Sequence, residues 1–219
     1  MSITEVSMQS YYAARAPEYD RIYQKPERQA DIQRLRQWLP PIFAGSRLLE
    51  VACGTGFWTQ FIAPVASEVV ALDASPETMA IATRRVAEGT VKFLVGDAYS
   101  LPKDQGKFSA SFAGFWFSHV PKNRQREFLA GLGSVLNPGA TVLLLDNLYV
   151  PGSNHPISDQ DPDGNTYQTR RLDDGSTHRV LKNFPSEAEL RNLIVGFGER
   201  AVFTQFEYYW AFQYVATKP

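Results

Sequence analysis

Hydrophobic residues in the first two thirds of this chain form five short apolar runs, separated by longer segments with helical spacing. The runs cover residues 47–52, 68–72, 91–95, 108–113 and 140–146. Continuous apolar runs of this length are typical of strands buried on both faces. Strands that alternate with helices predict an α/β fold, in which a parallel sheet is covered by helices on both faces.

The helical segments carry start and stop signals. Residues 27–39 have apolar positions at helical spacing, and Pro40-Pro41 is expected to end that helix. Ser75-Pro76 predicts a helix that begins with a capping serine and has proline at its first position. Another helix is predicted over 122–136, before a turn at 137–139.

The pattern changes after residue 146. Residues 147–183 are rich in Pro, Gly, Asp and Asn, with a predicted hairpin turn at Asp173-Asp174-Gly175. Residues 186–189 have the spacing of a capping box. The two β-rich runs that follow, 199–206 and 208–216, are joined too closely for a parallel crossover, so we expect them to be antiparallel.

These patterns predict a single domain of 219 residues made of four segments. The segments are an N-terminal region with a helix at 1–40, a core at 41–146, an insertion at 147–183, and a C-terminal helix with antiparallel strands at 184–219.

Composition narrows the function classes. Apolar residues make up 44% and charged residues 21% of the chain, and the net charge is −1 with basic residues scattered among acids. A basic face for nucleic acid is therefore not expected. The single cysteine, Cys53, fits a reducing compartment, and no secretion signal or membrane-spanning run is visible. We expect a cytoplasmic protein, a monomer or homodimer, that acts on a small molecule.

The most informative segment is the turn after the first strand. Glu50 ends an apolar run and is followed by Gly54 and Gly56, which let a ligand approach the backbone closely. Asp73 ends the second strand, where it can accept hydrogen bonds from both hydroxyls of a ribose. Asp97 ends the third strand and can receive an adenine amino group, and Glu50 can face an ammonium. The three acids fit such a ligand better than a pyrophosphate, which prefers amides and basic groups.

With these residues the chain resembles the class I S-adenosylmethionine-dependent methyltransferases, in particular the small-molecule branch of the type 11, 12 and 25 domains. The motifs that carry the resemblance are Glu50-Val51-Ala52-Cys53-Gly54-Thr55-Gly56, Leu72-Asp73-Ala74-Ser75-Pro76-Glu77-Thr78-Met79, Gly96-Asp97-Ala98 and Phe115-Trp116-Phe117-Ser118-His119-Val120.

The resemblance implies a Rossmann-like sheet of seven strands in the order 3-2-1-4-5-7-6, with strand 7 antiparallel and helices on both faces. It implies S-adenosyl-L-methionine as cofactor and S-adenosyl-L-homocysteine as product. The cofactor-binding residues that it implies are Tyr19, Glu50, Ala52, Gly54, Gly56, Asp73, Ala74, Met79, Asp97, Ala98 and Phe115.

On the acceptor side, the resemblance places Trp116, His119 and Asp146 near the methyl group, and it places the N-terminal segment with Tyr11 and Tyr12 as a lid. His119 is the candidate general base, and a histidine that only caps a helix start is the alternative. A plain amphipathic helix is the alternative for the lid. No metal site is expected, because the fourth strand lacks the acid that would accompany Asp146.

The predicted reaction is in-line methyl transfer to an O or N atom of a small acceptor. The rival interpretations are a cofactor-binding protein without catalysis and an aminopropyl-type transferase on the same fold. The insertion at 147–183 is long for a connection and is expected, with residues 11–23, to enclose a largely apolar, aromatic pocket. That pocket would favour a flat or hydrophobic acceptor and would have His119 at its polar end.

Overall fold

A computed structural model describes residues 11–12, 15–86, 89 and 91–217. Its strands are β1 (Arg47–Val51), β2 (Glu68–Asp73), β3 (Val91–Val95), β4 (Phe108–Gly114), β5 (Leu136–Asn147), β6 (Ile157–Gln160), β7 (Thr166–Arg171), β8 (Thr177–Leu181), β9 (Gly198–Gln205) and β10 (Tyr209–Ala216). The α-helices are α1 (Gln29–Ile42), α2 (Thr59–Ile62), α3 (Pro76–Arg85), α4 (Gln125–Val135) and α5 (Glu187–Leu193). Short 3₁₀ helices lie at Ala16–Tyr23, Pro26–Arg28, Lys103–Gln105, Phe117–His119 and Lys122–Arg124.

The main sheet has seven strands in the order β3-β2-β1-β4-β5-β10-β9. Strands β1 to β5 pair in parallel, whereas β10 is antiparallel to both β5 and β9. With β6 to β8 set aside in a separate sheet, β9 and β10 are the sixth and seventh strands of the expected order. The predicted α/β fold and strand order are confirmed.

Two predicted boundaries are wrong. Helix α1 does not stop before Pro40-Pro41 but continues to Ile42, because prolines in the last turn remove few helical hydrogen bonds and Phe43 N still donates to Pro40 O at 3.0 Å. Strand β5 begins at Leu136, so the predicted turn at 137–139 lies inside the strand. A register shift between Phe108 and Ala110 accommodates the extra residues.

The insertion forms its own antiparallel sheet in the order β6-β7-β8. The hairpin predicted at 173–175 is present, since Arg171 of β7 pairs with Thr177 of β8. The capping box at Ser186 and Glu189 is also present and begins α5. Strand β6 was not predicted because all four of its residues are exposed, so it carries no alternation of apolar and polar positions.

Apolar side chains fill both faces of the main sheet. Adjacent residues of β4 and β10 contribute to opposite faces, as Phe112 packs in one cluster and Ala113 in the other. The largest buried side chain is Trp210 on β10. Within the described part of the chain, no helix is both long and apolar enough to cross a bilayer. This covered sheet holds the carboxyl ends of β1, β2 and β4 at one edge, where the predicted site residues lie.

Candidate functional site

The turn after β1 is built from left-handed backbone. Ala52, Gly54 and Gly56 have φ of 56°, 56° and 72°. The two glycines serve different purposes. A Cβ at Gly54 would meet the ring of Tyr19 at 3.6 Å on the cavity side, whereas a Cβ at Gly56 would come within 3.1 Å of the backbone of Ala82 in α3. Gly54 therefore leaves room at the cavity, and Gly56 lets α3 pack against the turn.

Asp73 joins this turn to the start of α3. Its carboxylate accepts hydrogen bonds from Gly54 N at 2.8 Å, Ser75 N at 2.9 Å and Thr78 Oγ1 at 3.0 Å. Burial raises the pKa of Asp73, and these donors oppose the rise. Of these three hydrogen bonds only the one from Gly54 N goes to Oδ2, so this oxygen can also accept from a ligand in the adjoining cavity.

The cavity at this edge of the sheet has a volume of about 1040 Å³ including its open mouth and is hereafter the cofactor cavity. Most of the predicted cofactor and acceptor residues line it. These are Tyr12, Tyr19, Ala52, Gly54, Asp73, Ala74, Asp97, Ala98, Phe115, Trp116 and His119. Trp116, which was expected on the acceptor side, lines this cavity and packs edge-on against Tyr99.

Five predicted residues lie behind the cavity walls. Gly56, Met79, Glu50, Tyr11 and Asp146 are not among the lining residues. Met79 is buried with its sulfur 3.6 Å from that of Cys53, which makes this thiol a packed core group. Tyr11 packs on the rings of Tyr12 and His178.

Glu50 is the buried acid closest in sequence to the turn. It is 2% exposed, and its Oε2 has no hydrogen-bond partner among the described residues. Burial raises the pKa of Glu50 to about 8. An unpartnered buried carboxyl is costly on its own, and a cation delivered by a ligand would satisfy it. Together with Asp73 and Asp97, it fits the ammonium, ribose and adenine amine of S-adenosylmethionine.

A second cavity of about 650 Å³, including its open mouth, adjoins the first and is hereafter called the acceptor pocket, after the role that we propose for it below. The two share Tyr12, Tyr19, Phe115 and His119 as lining residues. The insertion contributes to the wall, as expected. The expectation of an apolar pocket, however, is wrong, because the lining includes five cationic side chains and no carboxylate. The cations are Arg15, Lys25, Arg28, Arg170 and Lys182.

Tyr12 and His119 form a hydrogen-bonded pair where the two cavities meet, and their other partners fix the tautomer of His119. His119 Nδ1 lies 2.6 Å from Leu181 O, and its Nε2 lies 2.8 Å from the hydroxyl of Tyr12. A carbonyl only accepts, so Nδ1 carries the proton and Nε2 accepts from Tyr12. Burial and the nearby Lys182 charge hold the pKa of His119 well below its usual range, and burial raises the pKa of Tyr12 to about 12. Both groups are therefore neutral near pH 7.

Asp146 is fully buried beneath the acceptor pocket. Lys182 Nζ donates to its Oδ1 at 2.7 Å and to Ser118 Oγ at 2.6 Å. Ser118 N, Asn147 N and Asn147 Nδ2 also donate to this carboxylate. Asp146 thus anchors the loop after β4 and does not face an acceptor.

Sequence reasoning missed the cations of the acceptor pocket. Arg28 follows an exposed turn, and Arg170 and Lys182 lie in a polar insertion, where charged residues are ordinarily solvated. The signal that could have found them is the number of basic residues in the N-terminal segment and the insertion, which were already expected to enclose the pocket.

Asp73→Asn tests the cofactor cavity. We expect the variant to bind S-adenosylmethionine about 10- to 150-fold more weakly, since lost hydrogen bonds to a charged group are worth about 1.5–3 kcal/mol. Calorimetry measures the dissociation constant. Asp97→Asn is expected to weaken binding less, because one adenine contact is more easily replaced by water. Unchanged affinity in Asp73→Asn, with the fold intact, would contradict the assignment.

A family model described as a methyltransferase domain matches residues 48–139, which contain the glycine turn and the three strand-end acids. The chain is 31% identical over 109 residues to a demethylmenaquinone methyltransferase of Shouchella clausii, covering 47% of this chain and 46% of that protein. It is 34% identical over 104 residues to another protein of that name from Clavibacter sepedonicus, covering 42% of it. The chain spans about half the length of the curated relatives it matches.

Two solved structures resemble the whole chain. The DhpI–SAM–HEP complex is 28% identical, covers 98% of this chain and 99% of that one, and has a TM-score of 0.80. The DhpI–SAH complex is 29% identical, with 99% and 98% coverage and a TM-score of 0.77. SAM and SAH are S-adenosylmethionine and S-adenosylhomocysteine. These comparisons confirm the expected fold and cofactor, and over residues 48–139 they agree with the expected family.

Proposed function

We propose that this chain, a class I S-adenosylmethionine-dependent methyltransferase by its fold and its cofactor-binding half, methylates an O or N atom of a small molecule. The observation that carries the proposal is the junction of two cavities. One has the strand-end acids of a cofactor site, the other is a separate pocket, and four side chains belong to both walls. A protein that only binds the cofactor has no need of the second pocket.

S-adenosylmethionine, when bound, supplies a methyl group on a sulfonium that needs no further activation. The protein therefore acts mainly by holding and desolvating the reactants. Asp73 and Asp97 hold the cofactor end of the site, and Glu50 lies behind the glycine turn to offset a positive charge. Tyr19 and Phe115, whose rings belong to both walls, exclude water between the two cavities.

Tyr12 and His119 provide a path for a proton. The Tyr12 hydroxyl donates to His119 Nε2, and its oxygen can accept a hydrogen bond from an acceptor O–H or N–H. As the acceptor forms its bond to carbon, its proton passes to Tyr12 while the Tyr12 proton passes to His119. Nδ1 stays bound to Leu181 O throughout, which fixes the ring. The histidine becomes an imidazolium near Asp146, whose negative charge opposes the lowering of the pKa of His119.

The N-terminal residues are part of the same proposal, with residues 1–40 acting as lid and first helix of the single domain. Residues 1–10 and 13–14 of the expected lid lie outside the described part of the chain. The described part covers the glycine turn, with Tyr19 against Gly54. Asp20 attaches it to the core by an ion pair with Arg85 and by accepting from Thr55 Oγ1 at 2.6 Å.

Asp20→Asn tests this attachment. The pair is partly exposed, so we expect a loss of about 1 kcal/mol or less in lid closure and a rise of up to about fivefold in the KM for S-adenosylmethionine. Steady-state kinetics measure the effect. Asp104→Asn, on the exposed 3₁₀ helix at Lys103–Gln105, is the matched control and should leave KM unchanged. A KM for Asp20→Asn equal to that of the wild type would show that this contact does not hold the lid.

The proposed activity is tested by incubating the protein with S-adenosylmethionine labelled at the methyl group and a metabolite extract. A labelled small molecule supports methyl transfer, and its mass spectrum gives the acceptor. Label at carbon would instead match the chemistry implied by the relatives named demethylmenaquinone methyltransferase. Binding without transfer would favour the non-catalytic alternative. Products labelled only from a cofactor with a labelled aminopropyl chain would favour an aminopropyl transferase.

A further inference from the structure

Four of the five cations of the acceptor pocket have no ion-pair partner among the described residues, and only Lys182 is paired. Arg28 is 4% exposed, yet it donates only to neutral groups, Ser153 Oγ at 2.9 Å and Asn147 Oδ1 at 2.7 Å. Lys25 donates to the carbonyl oxygen of Ser153. None of the ion pairs among the described residues includes Arg15, Lys25, Arg28 or Arg170.

Arg170 is the cation best placed to bind a ligand. It extends from β7 into the acceptor pocket, where its Nη2 and Nε donate to Gln168 Oε1 at 2.8 and 3.3 Å. Its guanidinium lies over the ring of Tyr11 at 5.9 Å, and Tyr11 packs edge-on against Tyr12 of the proposed proton path. A guanidinium has five N–H donors in a planar fork, a shape that suits carboxylate and phosphate oxygens.

Three carboxylates lie near these cations, and none of them forms an ion pair with Arg15, Lys25, Arg28 or Arg170 within the described part of the chain. Asp31, which is 4% exposed and follows Arg28 by three residues, accepts from Tyr208 N at 2.8 Å. Asp146 is paired with Lys182. Glu27 accepts from Ser153 Oγ at 2.7 Å and is an exposed residue outside the lining. The positive field also acts on His155, whose pKa is lowered by partial burial and by Arg170, Lys25 and Arg15. Four like charges around one pocket are costly unless an anion enters it.

We propose that the methyl acceptor is a small organic oxyanion whose carboxylate or phosphate-type group is bound by Arg170 with Arg28, Lys25 and Arg15. This rests on the proposed function, which makes the pocket an acceptor site. The anionic end lies among the cations, and the atom to be methylated lies at the Tyr12–His119 wall. The pocket volume of about 650 Å³ admits a small molecule and not a polyanion.

The test is direct binding, with and without S-adenosylhomocysteine, measured by calorimetry at low salt. The probes are small molecules that each have a terminal hydroxyl: 2-hydroxyethyl phosphate, 3-hydroxypropanoate and neutral 1,3-propanediol, in which a second hydroxyl takes the place of the anionic group. The two anions are expected to bind at least tenfold more tightly than the diol, and 0.5 M salt should reduce the difference. Comparison of the two anions tells a phosphate-type site from a carboxylate site. Equal binding of all three would overturn the inference.

Arg170→Gln should weaken binding of the preferred anion about 10- to 100-fold, and Arg170→Lys should restore part of it. Arg171→Gln is the matched control, since Arg171 is the next residue of β7 and is exposed. If Arg170→Gln melts below the assay temperature, Lys25→Gln at the partly exposed rim takes its place. If the anion affinity is unchanged in both variants, the proposed anion site is contradicted.

The outcomes separate this inference from the proposed function. Methyl transfer to a neutral acceptor, without anion binding, would support the methyltransferase proposal and contradict the proposal of an oxyanion acceptor. If the protein binds the anions but does not bind S-adenosylmethionine, the anion site is supported and the methyltransferase proposal is contradicted.

Discussion

His119→Asn is expected to lower kcat by about two to four orders of magnitude, the usual contribution of a positioned proton acceptor. Asparagine can still donate to Leu181 O, so the loop should keep its conformation, but it cannot take the proton that Tyr12 passes on. Steady-state and single-turnover kinetics measure the effect. The dissociation constant of S-adenosylhomocysteine should stay within about twofold of the wild type, because the cofactor site keeps its acids.

Tyr12→Phe is the companion variant. It keeps the ring that lines both cavities and removes only the hydroxyl that joins acceptor and histidine. We expect kcat to fall in the same direction, and the double variant to be little worse than the worse single one, since the two act as a unit. Full activity in His119→Asn would mean that the acceptor atom is already an anion and has no proton to give.

The pH profile gives a further readout of the same group. His119 must be neutral to take a proton, and burial with the Lys182 charge lowers its pKa. The kcat plateau should therefore extend below pH 6.5.

The lowered pKa of His119 also affects the stability of the protein. A histidine with a lowered folded pKa contributes stability above its unfolded value, near 6.5, and that contribution is lost as the pH falls toward the folded pKa. In His119→Asn this part of the acid destabilisation should disappear.

Lys182→Met is expected to lower the free energy of unfolding by about 3–5 kcal/mol, because it leaves the fully buried Asp146 without its cation. Burial lowers the pKa of Lys182 to about 8, and Asp146 opposes that shift. Urea unfolding followed by tryptophan fluorescence measures the loss. Restoring neutrality with Lys182→Met and Asp146→Leu together should recover much of it, which shows that the penalty arises from the stranded carboxylate.

Arg179→Met on the adjacent strand β8 is the matched control. Arg179 pairs with Asp159 on the surface, both side chains being about half exposed, so its loss should cost about 1 kcal/mol or less. A loss in Lys182→Met no larger than in this control would contradict a structural role for the buried pair.

Asp146 also predicts how the stability of the protein changes in acid. Burial acts to raise its pKa, but Lys182 and His119 lower it, so its contribution holds above about pH 4 and is lost in stronger acid.

Much of the cofactor half was predictable from sequence. The five apolar runs, the glycine turn and the acids at Asp73 and Asp97 are local patterns, because a buried strand must be apolar and a turn that approaches a ligand needs glycine. The structure brings Asp73 and Asp97 to the edge of one cavity, as expected for the carboxyl ends of neighbouring parallel strands. The antiparallel pair at the chain end followed from its short link alone.

The acceptor side was not predictable in this way. Arg28 precedes α1, while Arg170 and Lys182 come from the insertion more than 140 residues later, so no spacing in the sequence relates them. The resemblance implied that Trp116 and Asp146 lie on the acceptor side. In the structure Trp116 lines the cofactor cavity, and Asp146 is buried in an ion pair with Lys182.

The sequence by itself therefore determined the α/β sheet and its cofactor edge, because these depend on periodicity and on short motifs that act over a few residues. Only the tertiary structure decided the character of the acceptor pocket. Whether a charged side chain is solvated or lines a closed pocket depends on which distant segments pack against it, and a polar insertion has the same composition in either case. The folded chain gathers cations that the sequence scatters, and so makes a protein of net charge −1 locally positive at its site.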